Sequence, residues 1–298
     1  MIILIEPFGK NISMKVAVVI GALGMAGHVM AEYLESTGEY KVLGVARQPG
    51  LRVSKVLDVL DFSQLEAYLK EVGAQVVVNC VGALVSDARD HISRAILLNS
   101  YLPHYLAGLG DKYKFRLIHI STDCVFSGED GNYLEASFRD GDDNYARTKA
   151  LGEVAYGQHL TIRTSIIGAE LKDNGTGLMD WFFKQHGTVT GYSQAYWSGV
   201  TTLELAKATH EFIHQNVSGL VHLCPESKIS KFELLNLINE IWQRDCSIES
   251  NDSYVVDKSL ISTRSDLTHS VPSYRAMLEA TQKWLESRVE HYPHYKFI

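Results

Sequence analysis

The chain is predicted to be an α/β protein, with a doubly wound parallel sheet of the Rossmann type and a smaller C-terminal lobe. Three observations lead there. The apolar run Val16-Ala17-Val18-Val19-Ile20 ends in Gly21, and Gly24 and Gly27 complete a G-x-x-G-x-x-G spacing. Short apolar strand patterns then alternate with helix patterns from residue 16 to about 163, the order of a βαβ sheet with right-handed crossovers. After Thr164 the texture changes, and glycines, aromatics and polar residues dominate residues 168–197.

Taken in order, strands are expected at 16–21, 41–46, 55–58, 75–80, 115–121 and 159–163. Each is short, apolar or β-branched, and bounded by glycine or polar residues, as buried parallel strands are. Helices are expected at 24–36, 62–71, 91–109 and 144–158. The first places Met30, Tyr33 and Leu34 on one face. Beyond 200, helices are expected at 201–215, 231–244 and 273–289, with a strand at 220–224. This divides the chain into an N-terminal extension (1–13), a cofactor-binding domain (14–165) and a mixed α/β lobe (166–298) interleaved with the end of the sheet. The extension holds Pro7 and Gly9, and Met14 is its expected functional start.

Composition narrows the function class. A chain of 298 residues with 46% hydrophobic and 21% charged residues suits a soluble globular protein. A net charge of −7 argues against general nucleic-acid affinity. Cys80, Cys124, Cys224 and Cys246 form no C-x-x-C pair, which fits reduced thiols and a cytoplasmic location. The apolar run at residues 1–5 is too short for a signal peptide or a membrane span.

The glycine turn brings backbone N–H groups and a positive helix end to a pyrophosphate. Gly21 allows the tight turn, Gly24 allows close approach of phosphate, and Gly27 allows the helix to pack close to the strand. Tyr145 and Lys149 stand four apart at the start of an expected helix and share a face. An ammonium one turn away is expected to pull the phenol below its usual value of about 10, fitting it for proton transfer at a carbonyl. Read alone, the same spacing suits a solvated helix face. The strand ending Ser121-Thr122-Asp123 would point Ser121 or Thr122 toward the same cleft, or merely cap a loop. The second strand ends Ala46-Arg47-Gln48 with no acid to hold a ribose 2′-hydroxyl. Arg47 could instead pair with a 2′-phosphate, so NADP(H) is favoured over NAD(H).

The segments Ser121-Thr122-Asp123-Cys124-Val125-Phe126-Ser127-Gly128, Gly131-Asn132-Tyr133-Leu134-Glu135 and Asn144-Tyr145-Ala146-Arg147-Thr148-Lys149-Ala150-Leu151-Gly152-Glu153 together resemble the dTDP-4-dehydrorhamnose reductase family. That family belongs to the extended short-chain dehydrogenases/reductases. The resemblance covers about residues 14–290, is specific between 117 and 165, and is loose beyond 200. It implies NADPH-dependent reduction of a 4-keto group on a nucleotide-linked 6-deoxy sugar. It also implies Tyr145 as proton donor, Lys149 on the nicotinamide ribose, and Thr122 on the keto oxygen. Gly21, Gly24, Met25 and Gly27 would hold the pyrophosphate, and Asn79, Gly82 and Asn99 would line the cofactor. Asp58, ending the third strand, would meet adenine. Ser121, Asp123 and Trp197 would face substrate, with Met179 and Trp181 as further packing candidates. The loop 136–143, Cys124 in place of a tyrosine, and a partial signature at Ser262-Thr263-Arg264-Ser265 depart from the family pattern. They bear on the identity of the sugar more than on the reaction.

The alternatives are a nucleotide-sugar epimerase or dehydratase of the same superfamily, and a non-catalytic NADP(H)-binding regulatory subunit. The presence of Thr122, Tyr145 and Lys149 together favours an enzyme. A homodimer is compatible with either reading. His210-Glu211-Phe212-Ile213-His214 spells H-E-x-x-H on an expected helix, with Glu233 available as a third zinc ligand. In a chain with 12 histidines such a pattern arises by chance, so a metallopeptidase is rejected and no metal is expected.

Overall fold

The computed structural model describes residues 14–295, so the expected extension at 1–13 lies outside the described residues. Seven parallel strands form one sheet: β1 (Lys15–Ile20), β2 (Tyr40–Ala46), β3 (Val53–Val56), β4 (Val76–Asn79), β5 (Arg116–Thr122), β6 (Leu160–Thr164) and β7 (Gly219–His222). Their spatial order is β7-β6-β5-β4-β1-β2-β3, all pairs running parallel. The order reverses between β1 and β4, where Ile20 lies opposite Asn79. Ligands of open α/β sheets bind outside the carboxyl ends of the strands at such a switch point. The glycine turn leaves β1 there.

The main helices are α1 (Met25–Ser36), α2 (Phe62–Glu71), α3 (Leu102–Tyr113), α4 (Asn144–Leu151), α5 (Thr202–His214), α6 (Lys231–Ile241) and α7 (Tyr274–Glu286). Strand alternation divides the core in two. Ala17 and Val19 face a layer with Met30 and Leu34 of α1, Phe212 of α5 and Leu278 of α7. Val18 and Ile20 face Leu65 and Leu69 of α2 and Leu102 and Leu106 of α3. Successive strand residues point to opposite faces, so a strand buried on both reads as a continuous apolar run.

Two expected helices differ from those observed. The segment expected as one helix over 91–109 breaks at His91, makes a π-helical turn at Ile96–Tyr101, and continues as α3 to Tyr113. Pro103 in the first turn of α3 lacks an N–H and crowds the carbonyl four residues back, that of Asn99. The chain also comes close at that point, because a Cβ on Gly152 would fall within the van der Waals shell of the Asn99 carbonyl oxygen. The helix expected over 144–158 ends at Leu151. Beyond it, the N–H of Val154 donates to Thr161 Oγ1 (2.9 Å) and Thr161 Oγ1 donates to the Val154 carbonyl (2.8 Å). These bonds tie the chain to β6 where further helix was expected.

The lobe contains small sheets that the pattern did not reveal. Gly187–Tyr192 pairs in parallel with Cys246–Asn251. Ala195–Trp197 pairs with Ile229–Ser230 and Val256–Asp257. A short helix, Leu178–Phe183, precedes them. Among the described residues no helix is long and apolar enough to cross a membrane.

Candidate active site

The glycine turn is built tightly. Gly21 has φ +87°, and a Cβ there would meet Val81 Cγ2 at 2.9 Å. A Cβ on Gly27 would overlap the Gly21 carbonyl group, so α1 sits directly on the turn. A Cβ on Gly24 would meet only the Gly21 oxygen, at 3.3 Å. Helices α2, α4, α5, α6 and α7 each accept a side-chain cap, from Asp61, Asp143, Thr201, Ser230 and Ser273. Helix α1 begins at Gly24 with no side-chain cap and no acid in its first turn. The first N–H groups of a helix have no partner within it, so those at Met25 and Gly27 are suited to an anion. His28 holds this end from behind, with Nδ1 on the Gly24 carbonyl (2.8 Å) and Nε2 on the Tyr292 hydroxyl (2.8 Å). Burial takes His28 down to about 4 and leaves it neutral.

Arg47 follows β2 directly and is exposed, with no ion-pair partner among the described residues. Asp58 does not end the third strand, because β3 stops at Val56. It lies in the turn before α2, where its carboxylate accepts from the Leu60 N–H (3.0 Å). Gly82 lies over Asn99, and a Cβ there would meet Asn99 Oδ1 at 3.1 Å.

Asn79 and Asn99 take roles other than those expected. Both are completely buried. Asn79 accepts from the Val81 N–H (3.1 Å) and pairs with His119 (3.2 Å). Asn99 accepts from the Ala83 N–H (2.7 Å) and donates to the Ala83 carbonyl and to Thr148 Oγ1 (both 3.1 Å). Their amides lock the loop after β4 to α4, beneath the surface that a cofactor would touch.

At the end of β5 the alternation separates Ser121 from Thr122. Ser121 turns away from the cleft and donates to Glu153 (2.8 Å), so it is not a substrate contact. Glu153 also takes two bonds from the buried Arg163 (2.7 and 2.8 Å) and one from Arg139 (3.0 Å). Thr122 turns the other way. Its hydroxyl lies against the Tyr145 phenol, donates to Asp123 (3.1 Å) and accepts from the Cys124 N–H (3.1 Å).

Lys149 lies one turn along α4 from Tyr145. Its Nζ donates to the Ile120 carbonyl (2.8 Å) and reaches His119 Nε2 (3.5 Å). Burial brings Lys149 down to about 8, although Glu153 favours its charge. The expected lowering of the Tyr145 pKa is not found. Burial raises the phenol above its ordinary value, with Cys124 and then Asp123 adding to the rise, while the Thr122 bond acts the other way. Lys149 spends its charge on the β5 carbonyl and not on the phenol, which stays protonated and able to donate.

Sequence reasoning missed Lys231, the first residue of α6. Burial brings it down to about 8 against the pull of Asp123 and Cys124, and its Nζ lies 4.7 Å over the Trp197 ring. Burial raises Asp123, and Lys231 and Lys258 pull it back. No local spacing links residues 123, 231 and 258, so only the fold could assemble them. Trp197 is itself a core residue, 4% exposed, as is Met179. A Cβ on Gly199 would overlap the indole of Trp197, so the ring is wedged in place, and Trp181 is exposed.

The loop over residues 131–135 has a structural use. Tyr133 stacks on Phe126 with centroids 4.1 Å apart, and its hydroxyl accepts from the N–H groups of Gly128 and Asp130. Glu135 accepts from the Thr263 N–H (2.9 Å) and hydroxyl (2.7 Å), joining the partial C-terminal signature to the loop that follows β5.

A hydroxyl pair and a buried lysine beside the switch point of this sheet define an extended short-chain dehydrogenase/reductase. The family model described as the RmlD substrate binding domain matches residues 14–260. The chain belongs to that family, the dTDP-4-dehydrorhamnose reductase-like nucleotide-sugar reductases. It is 25% identical over 259 residues to a probable low-salt glycan biosynthesis reductase of Haloferax volcanii, covering 82% of this chain and 84% of that one. It is 28% identical over 191 residues to a dTDP-4-dehydrorhamnose reductase of Mycobacterium tuberculosis, covering 59% and 61%. Among solved structures, it superposes on a hypothetical dTDP-4-dehydrorhamnose reductase of Sulfolobus tokodaii with TM-score 0.75 and 25% identity, over 87% of this chain and 96% of that one. A dTDP-4-dehydrorhamnose reductase of Bacillus anthracis, solved with NADP, superposes with TM-score 0.78 and 18% identity, over 91% and 100%; it supports the shared fold.

Proposed function

We propose that the chain is an NADPH-dependent reductase of a nucleotide-linked 4-keto-6-deoxy sugar. The observation that carries this reading is the Thr122–Tyr145 hydroxyl pair, with a protonated phenol, beside an uncapped helix end. The cofactor fits the residues present. The N–H groups at Met25 and Gly27 would hold its pyrophosphate, at a turn that Gly21 and Gly24 shape through the Gly24 N–H to Gly21 carbonyl bond (2.9 Å). Asp58 would lie near adenine, Arg47 would pair with the 2′-phosphate, and Lys149 would reach the nicotinamide ribose. Bound nicotinamide supplies the hydride.

Tyr145 and Thr122 bind the keto oxygen between their hydroxyls. As negative charge grows on that oxygen, Tyr145 gives it its proton. Lys149, anchored on the Ile120 carbonyl, would orient the nicotinamide ribose with its remaining N–H groups. Lys231, with Asp123 beside it, is a cation on the lobe side of the cleft and would meet the anionic diphosphate of the substrate. The four free cysteines fit a reducing cytoplasm. The exposed apolar residues Ile92, Ile96, Leu97 and Tyr101 offer a face for a homodimer.

The test is NADPH oxidation with a panel of dTDP-, UDP- and GDP-linked 4-keto-6-deoxy sugars, with the product checked by mass for the gain of two hydrogens. Turnover of at least one member is expected. NADPH binding without turnover of any member would instead support a regulatory subunit.

A further inference from the structure

The H-E-x-x-H segment has no part in the site above, yet the fold gathers its two histidines with a third ligand. His210 and His214 project from the same side of α5, and their Nε2 atoms are 3.0 Å apart. The third ligand is not Glu233, which caps α6 through the Ser230 N–H (2.9 Å) and hydroxyl (2.8 Å). It is Glu39, in the turn between α1 and β2. Its carboxylate oxygens lie 3.4 Å from His210 Nε2 and 2.7 Å from His214 Nε2, and the three ligand atoms all lie within 4.8 Å of one another.

Two imidazoles and a carboxylate are a donor set for zinc. Ligand atoms bound at about 2.0–2.1 Å around a tetrahedral ion stand roughly 3.3 Å apart; the two Nε2 atoms, 3.0 Å apart, fit one edge of such a tetrahedron, and the Glu39 carboxylate faces that edge with one oxygen toward each histidine. His210 is held in place, with its side chain only 13% exposed and the rings of Tyr33 and Tyr40 edge-on at 6.2 and 5.9 Å. The side chains of His214 and Glu39 are 43% and 45% exposed, which leaves the fourth position to solvent. The cluster sits at the amino end of β2, whereas the glycine turn and Arg47 sit at the carboxyl ends of β1 and β2. It is therefore at the opposite end of the strands from the reaction.

We propose that Glu39, His210 and His214 form a zinc site that clasps the α1–β2 turn to the C-terminal end of helix α5, which packs with α1 on one face of the sheet. The ion serves as a cross-link, not a catalyst. Glu211 is not among its ligands, and the peptidase reading gains nothing from it.

The test uses the full chain without a polyhistidine tag, stripped with chelator and titrated with Zn²⁺ by calorimetry and by thermal melting. One zinc per chain is expected. Saturation should raise the melting temperature by roughly 5 °C, because the ion binds the folded state alone. Mg²⁺, which demands oxygen ligands, should give no shift. His214→Ala and Glu39→Gln alter exposed side chains and should each weaken zinc binding by roughly 100-fold, as loss of a ligand does at least as strongly as loss of its supporting bond. Zinc affinity unchanged in both variants, or no binding to the stripped wild-type chain, would overturn the site. No step of this test reads turnover, so its outcome is independent of the reductase assignment.

Discussion

Replacing Glu153 with Gln tests how the fold holds the end of β5. Glu153 and Arg163 are 2% and 1% exposed and are joined by two parallel bonds of 2.8 and 2.7 Å. Ser121 and Arg139 complete the carboxylate's partners. Glutamine keeps the shape but removes the charge, and it turns an amide N–H₂ toward a guanidinium that can only donate. Breaking a buried pair in this way costs about 3–5 kcal/mol, because the remaining charge is left without compensation. For a chain of this length 1 kcal/mol moves the midpoint by roughly 2 °C, so thermal unfolding should come about 6–10 °C earlier. The pH dependence has a definite sign. Burial pushes the Glu153 carboxyl up, but the Arg163 bonds and charge outweigh it and hold it below its ordinary value of 4.5. The stabilisation is thus present above that value and is lost as pH falls through the lower folded-state value. The difference in melting temperature between wild type and Glu153→Gln should be full at pH 7 and shrink in acid. Calorimetric melts from pH 3 to 8 measure both quantities. A shift below about 2 °C at pH 7, or one that grows in acid, would show that the Glu153–Arg163 pair does not stabilise the fold.

Three further substitutions separate the parts of the site. Arg47→Ala should raise KM for NADPH by about tenfold or more, the worth of a charge-assisted bond, and leave KM for NADH unchanged; equal effects on both would remove the 2′-phosphate contact. Gly27→Ala pushes a methyl into the Gly21 carbonyl, so overpacking of about 1–3 kcal/mol should lower the melting temperature and weaken NADPH binding together, and fluorescence titration that shows wild-type affinity would count against the tight turn. Lys231→Met should raise KM for the nucleotide sugar with kcat nearly unchanged. If kcat falls instead, Lys231 acts on Asp123 and Thr122 and does not hold the diphosphate.

Much of this molecule could be read from local pattern, and the rest for specific reasons could not. Strand β1 and its turn were legible because a strand buried on both faces is apolar throughout and because Gly21 needs a positive φ. Helix α2 was legible end to end because Asp61 caps it on the Gln64 N–H (3.0 Å). The π-turn at Asn99 was not, since it answers to Pro103 ahead of it and to Gly152 across the core. The strands of the lobe are two to six residues long, and their partners, not their own alternation, set them. The candidate site divides the same way. Spacing paired Tyr145 with Lys149 and the strand end offered Ser121 or Thr122 beside them, but Ser121 turns to Glu153, and Asn79 and Asn99, which the resemblance set against the cofactor, are completely buried. Spacing also assigned Lys149 to the phenol when the lysine is taken by the Ile120 carbonyl. Lys231 and Glu39 come from distant segments that only the folded chain brings to Asp123 and to His210.

The role of Tyr145 is read by the single-turnover rate of NADPH oxidation, on a nucleotide-linked 4-keto-6-deoxy sugar, by wild type and by Tyr145→Phe at matched saturation. The phenol is the positioned proton donor in this account. Its loss should slow turnover by roughly two to four orders of magnitude, while NADPH binding, followed by fluorescence, stays at its wild-type strength. A Tyr145→Phe variant that turns over at the wild-type rate would contradict it.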